Sequence, residues 1–424
     1  MKKLNLLLLF FIAFSIMPKR VNADAVMPSY TISAVQTNQH FEDNTPNIKN
    51  DMGELVYGMV GLVVNDEFQR DVVITVPKFD RPAGVSKNII AGEQFKVDDI
   101  LRVMMVGSSD EASLILANLV GGEKKLAILM NDKARKLGMN NTNFGIVTSK
   151  KDINTYSTPS DMEKLYKQVY NTPRIYDMMT EKKFILAETT KSKQRVYRTN
   201  NYLMDNYLYT SYYNENVIAG RTGYISGGAC NIVAFAKIDG VRVILVSMGS
   251  QKSTSLLPNL EFAKNKINTM EKTYKSENIF KAGEMLKDFS VKKGKGASRV
   301  WAVTPSGVNI LIAKGSTFTF DKQITPVQDS FVAPIEKGQK LATLTVMSKN
   351  QAVLSMDLVA EKEIKVSIIS EILSSIWVKT LLALIILWLY WKIVIQIPRK
   401  RRREEIMKRR KESQEWLEAN KDLY

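Results

Sequence analysis

The sequence is poor in the side chains that most often bind metals or form a histidine-based catalytic triad. Its 424 residues include one cysteine, Cys230, and one histidine, His40. One cysteine excludes an internal disulfide framework, and no cluster of His and Cys has the spacing of a zinc site. A Ser-His-Asp triad would have to use His40, which lies in the polar stretch QTNQHFEDN and is interpreted as a surface residue. We therefore expect no metal, no other cofactor and no such triad.

The sequence also lacks a balance of charge. It carries 60 Lys and Arg against 43 Asp and Glu, a net charge of +17. No DNA- or RNA-binding motif accompanies this excess, so a nucleic-acid partner is not expected. Part of the charge lies in the two ends of the chain. The remainder suits a surface that faces anionic envelope polymers or lipid headgroups.

Residues 1–23 have the pattern of a secretory signal peptide. Two lysines precede the apolar run Leu4–Met17, and the small-residue segment VNA precedes Asp24. A lysine and an arginine between the run and the expected cleavage site are unusual, so an uncleaved membrane anchor is the alternative. Either interpretation predicts that the main body of the chain is exported.

Residues 372–397 are predicted to form a transmembrane helix. The apolar stretch Ile376–Ile397 has 22 residues, which gives about 33 Å of helix, enough to cross a bilayer core of about 30 Å. The basic run Arg399–Arg403 follows at once, and this predicts a cytoplasmic tail over residues 398–424. A helix lying in the membrane plane is the alternative, but the segment TLLALIILWLYW is apolar on every side.

Between these two ends the sequence predicts two domains. In residues 24–275, helical patterns occupy the middle and strand patterns occupy both ends. This order predicts an α+β domain whose sheet is built from the two ends and covered by helices. Residues 276–366 contain short strand patterns separated by turn residues, which predicts a small all-β domain.

A stretch near the end of the first domain raises the question of function. Residues 217–250 read VIAGRTGYISGGACNIVAFAKIDGVRVILVSMGS, with Asp239-Gly240 as a hairpin turn between two apolar strands. A strand that carries Lys-Thr-Gly in this setting is one of three catalytic motifs of the serine penicillin-binding proteins and β-lactamases. Here the three residues are Arg221, Thr222 and Gly223.

Other segments extend this similarity along the chain. The chain contains a series of segments in an order that is typical of one family. They are a long segment from AGEQFKVDDILRVMMVGSSDEASLIL to KLGMNNTNF, then YSTPSDM, RTGYISGGA and FVAPIEKGQKLATL. From about residue 29 to residue 366 the chain resembles the serine-type D-alanyl-D-alanine carboxypeptidases, which are low-molecular-mass penicillin-binding proteins of the peptidase S11 type. The resemblance implies a transpeptidase-type domain of penicillin-binding-protein and β-lactamase fold, a carboxy-terminal β domain and a membrane anchor. It also implies a ligand, the D-Ala-D-Ala end of a peptidoglycan stem peptide.

The family's chemistry rests on three motifs, and this chain departs from each of them. Ser-x-x-Lys supplies a nucleophile and its base, but the matching positions hold Asp51 and Glu54. Ser-x-Asn matches Gly107 to Ser109, so glycine replaces the serine and serine replaces the asparagine. Lys-Thr-Gly matches Arg221 to Gly223 and keeps its positive charge, which can grip a carboxylate. The resemblance therefore implies ligand-binding roles for Arg221, Thr222 and Gly223, and no catalytic pair.

The altered positions also have structural interpretations. Asp51 and Glu54 resemble a capping box at the start of a helix, and Ser108 is expected to face away from the site. The remaining Ser/Thr-x-x-Lys match before residue 147, Thr75 to Lys78, ends a strand next to a proline and is not expected to act. Cys230 lies on a hairpin strand and is interpreted as a buried small residue.

These observations favour a membrane-anchored, exported protein of this fold that has lost acyl-transfer activity and binds stem peptides or envelope partners. A working carboxypeptidase with altered residues is the first alternative. The second is a scaffold that acts through its cytoplasmic tail, where EEIMKRRKESQEWLEANKDLY has a helical composition. The sequence names no protein partner.

Overall fold

The computed structural model describes residues 28–44, 48–78, 85–86, 88–224, 229–251, 257–369, 372 and 375–419. The predicted signal peptide, residues 1–23, lies outside the described residues. Contacts divide the chain into two compact units. The first contains the chain up to residue 279 together with 309–321 and 347–354, and the second contains 280–308, 322–346 and 355–424. The domain boundaries given above remain predictions.

The first unit is built around an antiparallel sheet of five strands. Its strands are β1 (Ser29–Ala34), β2 (His40–Asn44), β7 (Val217–Tyr224), β8 (Ala229–Ile238) and β9 (Val241–Gln251), in the order β2-β1-β9-β8-β7. The first strand of the chain thus pairs with β9, which confirms that the two ends of the domain build one sheet. Asp239 and Gly240 have positive φ angles of 42° and 88° in the turn that joins β8 to β9, as the hairpin pattern predicts.

Helices from the middle of the sequence cover this sheet. They are α1 (Tyr57–Glu67), α2 (Val97–Gly107), α3 (Asp110–Val120), α4 (Glu123–Lys136), α5 (Pro159–Tyr170), α6 (Pro173–Thr180) and α7 (Pro258–Thr273). Two short strand pairs, β3 (Val73–Thr75) with β4 (Gln94–Lys96) and β5 (Lys183–Leu186) with β6 (Arg195–Arg198), lie between them. The predicted α+β class is therefore confirmed.

Helix α1 is the central helix of this unit. Its residues Tyr57 to Val64 are all buried, as expected for a helix that is apolar on every side. Two glycines allow neighbouring helices to approach it closely. A Cβ at Gly58 would lie 2.9 Å from Cζ of Tyr166, and one at Gly61 would lie 3.2 Å from a methyl group of Ile175. A short 3₁₀ turn, Gly53–Val56, leads into this helix and carries Glu54.

The second unit is mainly a six-stranded sheet. Its strands are β11 (Met285–Lys292), β12 (Arg299–Val303), β14 (Asp321–Pro326), β15 (Ser330–Val332), β16 (Lys340–Ser348) and β17 (Gln351–Ala360), in the order β14-β16-β17-β12-β11-β15. Strands β10 (Tyr274–Phe280) and β13 (Val308–Ala313) form a separate pair, nearly all of which belongs to the first unit. This all-β character agrees with the short strand patterns in the sequence.

The carboxy-terminal part of the described chain is helical. Helix α8 (Ile376–Tyr390) continues through a π-helical segment, Trp391–Gln396, into α9 (Ile397–Ala419). Together they make 44 residues with a mean hydropathy of 2.0 in their most apolar window, so this helix is long and apolar enough to cross a membrane. Among the described residues it is the one helix that meets both conditions.

Candidate functional site

The three segments that match the family motifs meet at the start of the central helix. Asn231 on β8 holds the first of them in place, because its amide donates to the backbone oxygens of Asp51 at 2.8 Å and of Met52 at 3.1 Å. The side-chain oxygen of Asn231 in turn accepts from the backbone N–H of Gly249 on β9 at 2.9 Å. Gly223 on β7 allows close contact, since a Cβ there would lie 2.8 Å from the oxygen of Met52.

A chain of polar contacts joins the three segments. The Arg221 guanidinium donates to Oγ of Ser108 at 3.1 Å and also to the backbone oxygen of Met105. The Ser108 hydroxyl is hydrogen-bonded to Glu54, and the Asn200 amide donates to Oε2 of Glu54 at 2.8 Å. The hydroxyl of Thr222 donates to the side-chain oxygen of Asn200. We call these five side chains, Arg221, Ser108, Glu54, Asn200 and Thr222, the central network.

The side chain of Arg221 points into the protein. It is 3 % exposed, and Thr222 is fully buried. The guanidinium carbon also lies 5.1 Å from the centre of the Tyr57 ring, a cation–π distance. A guanidinium buried to this degree needs acceptors or negative charge nearby, and Glu54, Ser108 and the Met105 carbonyl supply them. The ligand-binding role of Arg221, Thr222 and Gly223 remains a prediction.

Burial controls the ionisation of Glu54. Loss of solvent raises the pKa of this carboxyl above its ordinary value, although the Arg221 charge and the hydrogen bonds from Asn200 and Ser108 oppose the change. The negative charge of Asp110 adds to the rise. Burial likewise raises the pKa of Asp51. Both acids at the first motif are therefore held in surroundings that favour the protonated form.

A second set of contacts lies beside the central network. Asp110, the first residue of α3, accepts hydrogen bonds from the Tyr57 hydroxyl and from the backbone and hydroxyl of Ser149, the last at 2.9 Å. Burial, together with the charges of Asp110 and Glu54, raises the pKa of Tyr57 well above its ordinary value. Tyr57 therefore stays protonated and acts as a donor.

The predicted capping box is wrong for one of its two members. Oδ1 of Asp51 accepts the backbone N–H of Gly53 at 3.1 Å, so Asp51 does satisfy a donor at the start of the turn. Glu54 does not reach back to a backbone N–H but is bonded to Asn200 instead. The reason is tertiary: Asn200 lies 146 residues further along the chain and supplies a donor that no local pattern reveals.

Two positions of the second motif have structural roles. Gly107 ends α2, and a Cβ there would lie 2.5 Å from Cδ1 of Tyr197, so a serine cannot replace it unless Tyr197 moves. Ser109 is the N-cap of α3, and its hydroxyl accepts the backbone N–H of Ala112 at 3.2 Å. Ser109 thus caps a helix in the place where the family pattern has asparagine.

The expectation that Ser108 faces away from the site is wrong. Ser108 has a left-handed backbone conformation, with φ of 51°, in the turn between α2 and α3. This conformation turns its hydroxyl toward Arg221 and Glu54. A non-glycine residue at positive φ is uncommon and is often found at functional sites. Counting positions from the motif could not reveal this change of direction.

The structure also shows where Cys230 and His40, two other residues singled out in the sequence, are located. Cys230 is 1 % exposed on β8, as the hairpin pattern predicts, and His40 is exposed on β2. Asn200 is the site residue that the sequence analysis missed altogether, because it belongs to a polar loop that has no motif.

Comparison with known proteins agrees with this geometry. A family model described as D-alanyl-D-alanine carboxypeptidase matches residues 65–252, and one described as the C-terminal domain of penicillin-binding protein 5 matches residues 274–366. Over residues 65–252 and 274–366 the chain is therefore similar to the D-alanyl-D-alanine carboxypeptidases. The carboxypeptidase model begins after Asp51 and Glu54, so the first motif lies outside the region of this match.

Individual members of the family are similar over most of the body of the chain. D-alanyl-D-alanine carboxypeptidase DacF of Bacillus subtilis is 28 % identical over 277 residues, 64 % of this chain and 67 % of DacF. DacC of Escherichia coli is 26 % identical over 284 residues, 65 % of each chain. The matched region thus spans about two thirds of the length of these carboxypeptidases.

Solved structures show the same fold at lower identity. A peptidoglycan synthesis regulatory factor (PBP3) from Streptococcus pneumoniae superposes with a TM-score of 0.67 at 16 % identity, covering 80 % of this chain and 99 % of that one. Penicillin-binding protein 5 from Haemophilus influenzae superposes with a TM-score of 0.59 at 20 % identity, covering 80 % and 97 %. The chain therefore shares the fold of these penicillin-binding proteins, and its departure from the three catalytic motifs stays a prediction from the sequence.

The raised pKa of Glu54 leads to a stability prediction. An acid whose pKa is raised by folding binds its proton more tightly in the folded state, so its ionisation opposes folding. Its contribution is most favourable below its ordinary pKa of about 4.3 and is lost as the pH rises through the raised value. Glu54→Gln keeps an acceptor for Asn200 and removes this charge. We expect it to increase the free energy of unfolding more at neutral pH than near pH 4.

Denaturant titration of parent and variant at the two pH values measures this difference. Glu188→Gln is the matched control, because Glu188 is exposed and its substitution should give the same small change at both pH values. A Glu54→Gln variant that is equally destabilised at both would show that the ionised carboxylate is needed, as the partner of Arg221, and would contradict the prediction.

Proposed function

We propose that this chain is an exported, membrane-anchored D-Ala-D-Ala carboxypeptidase-like protein of peptidoglycan metabolism that does not cleave its ligand. It binds the D-Ala-D-Ala end of stem peptides, or an envelope partner, through the face that the family uses for its substrate. The observation that carries this proposal is the central network, in which Glu54 and the buried Arg221 stand where the resemblance expects the base and the substrate-binding lysine. Asp51, beside the network, stands where it expects the nucleophile.

Chemistry argues against acyl transfer by the family route. A carboxylate at position 51 is a weak nucleophile toward an amide, and Glu54 cannot reproduce a lysine that accepts a serine proton. Arg221 keeps its proton at every physiological pH and so cannot serve as the base. Thr222 and Ser109 both use their hydroxyl groups, one as a donor to Asn200 and the other as a helix cap.

A second candidate function is favoured by one contact, the hydrogen bond between Ser108 and Glu54. A working carboxypeptidase could use Ser108 in place of the missing serine. Its Oγ would attack the carbonyl carbon of the D-Ala-D-Ala amide while the ionised Glu54 carboxylate takes the hydroxyl proton. The terminal D-alanine would leave with that proton, and water would then hydrolyse the Ser108 ester. A raised pKa is what a carboxylate base needs near neutral pH.

One experiment decides between these two candidates. We expect the purified chain to give no covalent band with a fluorescent penicillin and to release no D-alanine from a stem pentapeptide. DacF from Bacillus subtilis serves as the positive control. A covalent band that Ser108→Ala abolishes, and that mass spectrometry maps to Ser108, would replace the non-cleaving function by the second candidate.

Ligand binding gives a further prediction, on the Arg221 side of the network. A carboxylate that binds the guanidinium nitrogen next to Ser108 must displace the Ser108 hydroxyl, so we expect opposite effects from two variants. Arg221→Gln removes a charge-assisted contact of about 1.5–3 kcal/mol and should weaken binding of a D-Ala-D-Ala peptide roughly 10- to 100-fold. Ser108→Ala removes the acceptor of one guanidinium NH2 group, which then becomes available to the peptide carboxylate. This variant should therefore bind the peptide more tightly.

Isothermal titration measures both changes. The same peptide ending in a carboxamide is the matched control, because it lacks the anion and should bind equally weakly to the parent and to both variants. If the acid and the amide bind the parent equally, Arg221 is only a buried structural charge and the site does not recognise a peptide carboxylate.

The membrane arrangement is a further part of the proposal. The apolar helix supports a single anchor, and the basic residues after Ile397 support a cytoplasmic tail with the body of the chain outside. We expect a reporter enzyme fused after residue 424 to be active when it is one that functions only in the cytoplasm. Activity of a reporter that functions only outside the membrane would reverse this orientation.

A further inference from the structure

The helix α9 that follows the apolar segment has two different sides. On one side, lysines pair with glutamates one turn further on: Lys400 with Glu404 at 4.0 Å, Lys408 with Glu412 at 4.0 Å and Lys411 with Glu415 at 3.9 Å. Pairs with this spacing stabilise a helix and neutralise their own charges. The lysines of this side are therefore already supplied with counter-charges.

The other side carries arginines without such partners. Arg399, Arg403 and Arg410 have no acidic residue three or four positions away in either direction, and in the part of the chain that the structure describes none of them forms an ion pair. The apolar side chains of Ile406 and Leu417 lie among them and are 53 % and 61 % exposed. Steps of four, three, four and seven residues place all five side chains along one stripe of the helix.

We call these five residues, Arg399, Arg403, Ile406, Arg410 and Leu417, the arginine stripe. Arginines without acidic partners, placed directly after a membrane-spanning segment and away from the acids of the helix, are attracted to an anionic membrane surface. The long arginine side chains can place their charges among headgroups while their stems cover apolar area. The five glutamates of α9, at positions 404, 405, 412, 415 and 418, all lie away from the stripe.

The position of helix α9 indicates which anionic partner the arginine stripe would bind. Helix α9 begins at Ile397, directly after the apolar segment, so the headgroups at that surface are the nearest dense array of anions. The junction combines a π-helical segment, Trp391–Gln396, with Pro398, which has no N–H to donate to the carbonyl of residue 394. Both features are established causes of a change in helix direction.

We propose that α9 turns at this junction and lies on the membrane surface, with the arginine stripe bound to the headgroups of anionic phospholipids. This inference rests on the membrane anchor of the proposed function and adds a ligand for the tail. It is independent of whether the central network binds or cleaves a peptide.

The test uses the full chain reconstituted in lipid nanodiscs. Ser413 lies beside the stripe, one turn after Arg410, and Ser413→Cys provides a site for an environment-sensitive nitrobenzoxadiazole dye. The native Cys230 is 1 % exposed, so labelling is selective for the new cysteine. We expect the dye emission to shift to shorter wavelength in nanodiscs that contain phosphatidylglycerol, not in phosphatidylcholine alone, and the shift to be lost at high salt.

Two triple variants with the same change in charge give the matched comparison. Arg399→Gln, Arg403→Gln and Arg410→Gln remove the stripe, and we expect the ratio of bound to free tail to fall about a hundredfold. Lys400→Gln, Lys408→Gln and Lys411→Gln remove three cations from the paired side and should keep most of the shift. Glutamine and the residues it replaces have similar helix propensities, so both variants retain the helix.

Each other result has a defined meaning. Equal loss in both triple variants would show that net charge alone attracts the tail, and an equal shift in phosphatidylcholine would show that anionic headgroups are not needed. No shift in any nanodisc would show that the stripe does not bind lipid, and a protein would then be the partner to test. All three overturn the proposal. A full chain that stays in solution without detergent would instead contradict the membrane anchor.

Discussion

The structure of the site depends on the burial of one permanent positive charge. Arg221 sits on the strand next to the central helix and is 3 % exposed. Because a guanidinium cannot lose its proton, everything around it must supply acceptors or negative charge. Ser108, the Met105 carbonyl and Glu54 do so, and Asn200 then holds Glu54 while Thr222 holds Asn200. Removing the Arg221 side chain would leave the Met105 carbonyl and the Ser108 hydroxyl without their donor.

The same constraint explains how the three motif positions have changed together. The family pattern places a lysine at the first motif and another at the third. In this chain the first position holds an acid, which pairs with the arginine at the third through Ser108. The region matched by the carboxypeptidase family model begins at residue 65, beyond the altered turn. The fold is therefore shared with these proteins, whereas the charges at the head of the central helix lie outside the region of the carboxypeptidase match.

Much of the fold follows from local patterns in the sequence. Alternating apolar strands and the Asp239-Gly240 turn each specify a conformation that a short window reveals. The order of strands and helices was enough to predict that β1 and β9 share a sheet. The motif positions were assigned by counting from neighbouring segments. The structure brings those segments together at the start of the central helix, and the assignment itself stays a prediction.

The contacts within the site could not be predicted in the same way. Asn200 and Glu54 are 146 residues apart, and neither lies in a pattern that names the other. The direction of the Ser108 hydroxyl depends on one positive φ angle, and a sequence that reads Gly-Ser-Ser does not specify which of its residues adopts it. Helix capping by Asp51 and Glu54 was the best local interpretation of two acids in a first turn. Tertiary partners overrode it for Glu54.

The pairing of Glu54 with Arg221 also makes the altered site resistant to stepwise return to the family pattern. Lysine at position 54 alone would face Arg221 across Ser108, and two buried cations at that separation repel each other strongly. Serine at position 51 alone would gain no lysine to accept its proton. Serine at position 107 would meet Tyr197 at 2.5 Å from its Cβ. Each single change toward the family pattern therefore lacks support from the residues that surround it.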